Sequence, residues 1–367
     1  MFLWGVLPVN YPQMPGFDFP LLLRSVISHA MSPLVTVLMP VHNGAAHLAA
    51  AMDSILSQTF RDFEFLIVDD ASTDTSAAIV GGYTDPRIRL IPSRERLKLS
   101  GALNLGLDQA CGTYIARMDA DDISLPDRLA VQVRHMEQHP DLGLCGGWIR
   151  YFGAHGEVLR RPTTHETIRA YALLDNPFAH PTVMLRRDLL ERHALRFNSD
   201  YFPTEDFELW TRAMLLFPVA NIPRVLLRYR AHDASLTGSD WSTMDEQAVR
   251  IVHAQLAPLG LDPSQEALRF HRQLAMGRLE MTAETLDLAE TWLTHLSDAN
   301  ERAGTFDRAA LASVLGDVWF RACLHTARLG GWVTTRYISS PLGRAAGQTT
   351  RRRALLLLAA LKGKVRS

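Results

Sequence analysis

From residue 35 to about residue 152 the chain alternates apolar, strand-like runs with helix-like segments, and this alternation restricts the fold more than any other feature. Val35-Thr36-Val37-Leu38-Met39-Pro40-Val41 is a near-continuous β-branched and apolar run, the pattern of a strand covered on both faces. Residues 45–58 follow with Leu48, Met52, Ile55 and Leu56 at helical spacing. A second strand over 63–68 ends at Asp69-Asp70, and Ser72-Thr73-Asp74 offers N-cap chemistry to a helix through Ile79. Residues 88–91 and 114–118 read as further strands, with a helix over 100–110 between them. Pro126 suits the first turn of a helix to about His139. The whole implies an α/β fold with a mainly parallel, doubly wound sheet, whose ligands lie beyond the carboxyl ends of its strands.

The pattern then changes. From 143 to 232 it is mixed, with short strands at 183–185 and 225–229 and a helix over 206–217, and beyond Ser239 it is almost wholly helical. With 38 basic against 39 acidic residues, the chain lacks the cationic excess of a nucleic-acid binder. Cys111, Cys145 and Cys323 are far apart with no ligand-like spacing, which argues against a disulfide framework or zinc site and fits a reducing, cytoplasmic setting. No apolar run reaches the roughly 20 residues that span a bilayer. Met31-Ser32-Pro33 directly precedes the first strong strand, so residues 1–32 read as an extension ahead of a native start.

Two acidic clusters follow strands. Asp119-Ala120-Asp121-Asp122 places three carboxylates in four positions, which repel unless solvent or a cation compensates. At a strand end a hard divalent ion, Mg²⁺ or Mn²⁺, suits such oxygen ligands together with a substrate diphosphate. A solvated acidic turn ahead of the next helix is the plainer alternative. In Asp69-Asp70-Ala71-Ser72-Thr73-Asp74, Asp70 suits a base or ribose and Ser72 to Asp74 suit a helix cap. Pro40-Val41-His42-Asn43-Gly44 contains neither GxGxxG nor GxxxxGK[ST], which disfavours a dinucleotide dehydrogenase and a P-loop NTPase. Glu205 and Asp206 stand where a helix dipole favours acids, and where one of them could serve as general base to an acceptor hydroxyl.

Taken in order, the strand and turn from Val35 to Asn43, Ser57-Gln58-Thr59-Phe60, Asp69-Asp70-Ala71-Ser72-Thr73-Asp74, Ala102-Leu103-Asn104-Leu105-Gly106, Asp119-Ala120-Asp121-Asp122, Glu205-Asp206 and Tyr229-Arg230-Ala231-His232 resemble the family-two inverting glycosyltransferases of the GT-A fold. The resemblance covers about residues 35–237. It implies a Rossmann-like nucleotide-diphospho-sugar transferase domain over 33–238, with a donor-binding half (33–125) and an acceptor half (126–238). A helical C-terminal region (239–349) and a basic amphipathic tail (350–367) complete the expected organisation.

Residue by residue, the resemblance implies that Pro40, Val41, His42, Asn43 and Asp70 hold the nucleoside of a UDP- or GDP-sugar, with Asp119 near the ribose. Asp121 with Asp119 and Asp122 would ligate the metal, and His232 would reach the metal or diphosphate, as a histidine does in some relatives. Asp206 would be the base, with Glu205 beside it. Relatives carry a basic residue near the Ala-Leu-Asn segment; here Arg94, Arg96 and Lys98 precede it, and Lys98 is taken as the donor-side candidate. His180 is a weaker acceptor-side candidate. The implied acceptor is a saccharide or a lipid-linked sugar, without nucleic acid. A sugar-phosphate nucleotidyltransferase and a catalytically silent nucleotide-sugar binder are the competing readings.

The C-terminus adds a separate expectation. After Asp317 there is no acidic residue but ten basic ones, and Arg351-Arg352-Arg353 and Lys362, Lys364 and Arg366 flank the apolar run 354–361. Basic flanks around a short apolar helix suit peripheral contact with the inner face of the cytoplasmic membrane, and equally suit a helix docked on the protein itself.

Overall fold

The computed structural model describes residues 32–153, 156–231, 241–280 and 282–364. The expected extension before residue 32 and His232 lie outside them.

Four strands open the fold: β1 (Val35–Val41), β2 (Phe63–Asp69), β3 (Ile88–Pro92) and β4 (Tyr114–Arg117). They pair in parallel in the order β3-β2-β1-β4, linked by α1 (Leu48–Leu56), α2 (Ser76–Gly81) and α3 (Lys98–Gln109). All seven β1 residues are buried because the strand is covered on both faces. Val35, Val37, Met39 and Val41 face one core, with Leu48, Met52 and Ile55 of α1. Leu38 faces the other core, with Leu103 and Leu107 of α3. This is the doubly wound arrangement the apolar runs imply.

Beyond β4 the sheet is mixed, so parallel order holds for only part of it. β5 (Ile123–Ser124) and α4 (Arg128–Gln138) lead into β6 (Leu144–Gly153), which β7 (Val158–Leu159) borders antiparallel. After α5 (His165–Ala172) comes β8 (Met184–Arg186), antiparallel to both β4 and β6. Past α6 (Arg187–Arg192) and α7 (Glu205–Ala213), β9 (Val219–Ala231) runs parallel to β6 and pairs with β5 at the far edge. The long β6 was not separable in the sequence, since Gly146 and Gly147 interrupt its apolar pattern. The helix expected over 206–217 ends at Ala213.

Two local expectations are corrected. The helix expected from residue 45 starts at Leu48, because side chains take up the preceding N–H groups. Gly44 donates to Ser76 Oγ and Ala45 to Asp74 Oδ2, each at 3.0 Å. Ser72 and Thr73 do not cap α2: Ser72 Oγ accepts from Asn43 N at 3.0 Å, and Thr73 N donates to Asn43 Oδ1 at 2.8 Å. They join the β2 turn to the β1 turn.

The remainder is helical: α8 (Trp241–Leu256), α9 (Gln265–Met276), α10 (Ala283–Ala303), α11 (Arg308–Thr326), α12 (Trp332–Ser339), α13 (Pro341–Ala345) and α14 (Thr350–Lys364). Ser264, Thr282 and Asp307 cap α9, α10 and α11 through their side-chain oxygens. Gly304 ends α10 at φ 63°, a left-handed conformation that costs glycine little. One apolar core runs from Leu38 and Leu103 through Trp210 to Val252, Leu268 and Trp319, so the helical region and the sheet are packed on each other.

Candidate active site

At the carboxyl edge of β1 and β2 two turns interlock. Val41 accepts from Asp70 N at 2.8 Å, and His42 Nδ1 lies 2.7 Å from the Asp70 carbonyl. Asn43 sits at φ 52°, the left-handed region that asparagine tolerates, which aims its amide at Thr73. The Asp70 carboxylate is buried: one oxygen accepts from Leu97 N at 2.5 Å and the other pairs with Arg96 Nε at 3.0 Å. Of the three basic candidates, then, Arg96 meets Asp70, while Arg94 and Lys98 are exposed, Lys98 as the first residue of α3. Pro40 and Val41 are buried strand residues that shape this edge.

The Ala-Leu-Asn-Leu-Gly segment lies on α3 and has a packing reason. A Cβ at Gly106 would come within 2.2 Å of Leu38 Cδ1, so glycine lets α3 approach β1. Asn104 exchanges two hydrogen bonds of 2.9 Å with the backbone of Phe197.

Beside these turns β4 ends in the acidic turn. An added Cβ at Gly44 would lie 3.7 Å from Ala120 Cβ, which places this turn against the first. Asp119, Asp121 and Asp122 each offer a ligand atom within 4.8 Å of the others. Buried Arg117, in β4, forms an ion pair with Asp119. Burial raises the Asp119 carboxyl pKa against the pull of that guanidinium. Asp122 is deeper: Oδ1 accepts from Arg230 N at 2.8 Å, while Oδ2 is buried with no hydrogen-bond partner. Burial first, then Asp119 and Asp121, hold its pKa well above the ordinary carboxylate range. An orphaned buried oxygen within a cluster of hard donors fits a divalent cation.

Gln58, fully buried, supports the turn from below. Its Nε2 donates to the carbonyls of Ser54 (3.0 Å) and Leu125 (2.7 Å), and its Oε1 accepts from Leu129 N at 3.0 Å.

A cleft of about 960 Å³ opens in front of Asp119 and Asp121. Glu205 and Asp206, at the start of α7, line it as well. Asp206 Oδ2 accepts from Asn176 Nδ2 at 2.8 Å and lies 3.7 Å from His180 Nδ1. Burial raises the Asp206 pKa, opposed by the Asn176 hydrogen bond. Glu205 Oε2 is buried without a hydrogen-bond partner, and burial, then neighbouring Asp206, pushes its pKa to about 7. His180 is held well below its ordinary value by burial and Arg117, and is therefore neutral.

The cleft thus gathers Asp119, Asp121, Glu205, Asp206 and His180, with Asp122 buried behind. Pro40 to Asn43, Asp70 and Lys98 form a neighbouring cluster at the same sheet edge and do not line it. Sequence reading passed over Arg117, although a cation inside an apolar strand was a signal. Tyr151 was also passed over, and Tyr229, quoted in the closing motif, was given no role; on β6 and β9 their rings meet edge-on at 5.5 Å in the cleft wall. The opposite wall carries Asp245, Arg272, Arg278 and Arg321 from the helical region. Asp175 joins the two walls, 3.2 Å from Arg161 and 3.7 Å from Arg272.

Residues 36–194 match the family model described as glycosyl transferase family 2. Similar curated proteins include the amylovoran biosynthesis glycosyltransferase AmsE of Erwinia amylovora, 35% identical over 190 residues, covering 50% of this chain and 71% of that protein. The O-antigen biosynthesis glycosyltransferase WbnJ of Escherichia coli is 34% identical over 210 residues, covering 55% and 81%. An uncharacterized glycosyltransferase of Haemophilus influenzae is 30% identical over 213 residues; the match spans 54% of this chain and 66%, just under two thirds, of that protein. Among solved structures, residues 1–349 of S. aureus TarS in complex with UDP-GlcNAc align over 88% of this chain and 90% of that one, at TM-score 0.53 and 16% identity. That likeness is one of fold.

Proposed function

The chain belongs to glycosyl transferase family 2, and from that premise we propose that it carries a sugar from a nucleotide-diphosphate donor to an acceptor hydroxyl with inversion at the anomeric carbon. The observation that carries this reading is the pairing of two carboxylate groups in one cleft: Asp119 and Asp121 after β4, Glu205 and Asp206 at the start of α7. One set suits the donor diphosphate and its cation, the other the acceptor proton.

In this reading the turn Pro40-Val41-His42-Asn43 and Asp70 hold the nucleoside, with Lys98 at the margin. A nucleotide sugar agrees with the UDP-GlcNAc bound by the fold neighbour TarS. Asp119, Asp121 and Asp122 are the residues to hold Mg²⁺ or Mn²⁺, with His232 a further candidate from sequence alone. The bound ion supplies neutralising charge for the departing diphosphate. Arg117 orients Asp119 through their ion pair and opposes the effect of burial on its charge. Asp206 accepts the acceptor proton while the acceptor oxygen bonds to the anomeric carbon and the bond to the diphosphate breaks. One displacement inverts the centre. Asn176 fixes the Asp206 carboxylate, and the tyrosine pair Tyr151 and Tyr229 offers ring surface to a sugar.

The work assigned to the chain is assembly of a cell-surface polysaccharide or glycolipid, in line with the amylovoran and O-antigen biosynthesis of AmsE and WbnJ, and we place it on the cytoplasmic side of a membrane. The test is a panel of UDP- and GDP-sugars with the purified protein, with Mn²⁺ or EDTA, scored for nucleoside diphosphate release. Metal-dependent release from one donor is expected. Formation of nucleotide sugar from sugar phosphate would replace this reading with a nucleotidyltransferase, and donor binding without release would make the chain a silent binder.

A further inference from the structure

We propose that α14, with the adjoining turn at residues 327–329 and the start of α12, forms a surface that lies in the face of an anionic phospholipid bilayer. The proposal goes beyond the catalytic reading and does not depend on it. Leu356 and Ala360 dock α14 on the protein, at 0% and 6% exposure. Leu357, Leu358 and Leu361, on the remainder of the helix, are 51%, 55% and 60% exposed. The helix packs against the turn Ala327–Leu329 and against α12. On those elements Leu329 and Trp332 are exposed by 46% and 43%. A helix apolar on nearly every side belongs where no side meets water, and here only one side is covered by protein.

Charge selects the occupant. Arg328, Arg344, Arg351 and Arg353 are exposed, and among the described residues none pairs with a carboxylate. Arg352 and Arg336, by contrast, are taken by Asp317 and by Asp287 with Glu290. No acidic residue follows Asp317 to oppose the cations. A rim of one sign repels a second copy of itself, whereas an anionic leaflet attracts it. No helix among the described residues is long and apolar enough to cross a membrane, so the geometry is that of a helix lying in the interface, with leucines inward and arginines at the headgroups. Trp332 is of the residue type that favours this boundary.

The test is flotation of the full chain with vesicles of equal phosphatidylcholine and phosphatidylglycerol, and with phosphatidylcholine alone. The protein should float with the anionic vesicles at low salt and stay below with neutral ones. The bound fraction should fall about tenfold or more in the L357S/L358S/L361S variant, in R351Q/R353Q, and at about 0.5 M salt. All five side chains are exposed, so thermal melting should be unchanged and serves as the folding control. The proposal is overturned if the wild type ignores anionic vesicles at low salt. It is equally overturned if the folded leucine variant floats like the wild type, or if the leucines prove only to hold a dimer together. Donor turnover without vesicles reads the catalytic proposal separately, so the two fail independently.

Discussion

Arg230 holds the acidic turn from the last strand of the sheet: its backbone N–H donates to Asp122 Oδ1 and its Nε to the Asp121 carbonyl, each at 2.8 Å. The strand carrying Arg230 is β9, over 100 residues downstream of the turn it anchors. Asp122 Oδ2 is left buried and without a hydrogen bond. Three carboxylates so placed repel one another until a cation is present.

Mn²⁺ should therefore stabilise the fold as well as support activity. A ligand at about 100 times its Kd adds about 2.7 kcal/mol to the folded state. Thermal unfolding with Mn²⁺ and with EDTA should differ by several degrees for the wild type. Asp121→Asn should abolish both that difference and turnover while the EDTA melting point is kept. Full turnover in EDTA would remove the metal from this site.

Asp206→Asn should lower kcat by a factor on the order of 10² or more and leave donor affinity nearly unchanged. The side-chain carbonyl of asparagine can still accept from Asn176, so the local geometry survives while the basic oxygen is lost. Isothermal titration with donor alongside steady-state kinetics separates the outcomes. A collapse of donor binding would assign Asp206 to the donor site.

Gln58→Ala should cost about 1–3 kcal/mol in urea unfolding, since it leaves the Leu129 N–H buried without its partner, while the Leu125 carbonyl keeps only the bond from Arg128 N. A loss under about 1 kcal/mol would mean that the segment 123–129 is held by other contacts.

The first strand was the most legible, because a strand covered on both faces is nearly all apolar, and in Val35–Val41 only Thr36 is polar. The carboxyl ends of the first four strands carry Asp70 and Asp119 to Asp122, so much of the candidate site could be placed from the pattern alone. β6 was illegible because Gly146 and Gly147 fit close approaches to Phe178 and Leu226 that no local pattern announces. The ion pair of Arg117 with Asp119 was within reach, two residues apart at a strand end. The wall built by Asp245, Arg272, Arg278 and Arg321 was not, because it depends on helices folding back over the sheet. Ser72 and Thr73 have good capping chemistry, and the structure spends it on Asn43 instead.

Glu205 gives the molecule a pH-dependent stability whose sign is set by its burial. Its folded pKa, about 7, lies above its ordinary value of 4.5. Between those values the folded state holds a proton that the unfolded state has released, so stability falls as pH rises through the window. Below it the carboxyl is neutral in both states and costs nothing. Above it the fold carries the whole burden of a buried charge beside Asp206, on the order of 3 kcal/mol. Glu205→Gln removes that charge and keeps the shape. In EDTA, urea unfolding at pH 5 and pH 8.5 should show the variant gaining on the wild type by a few kcal/mol between the two, with most of the gain arising between pH 5 and 7. An equal stability difference at both pH values would mean that Glu205 is ionised throughout, and that the Oε2 atom finds a partner or solvent in solution.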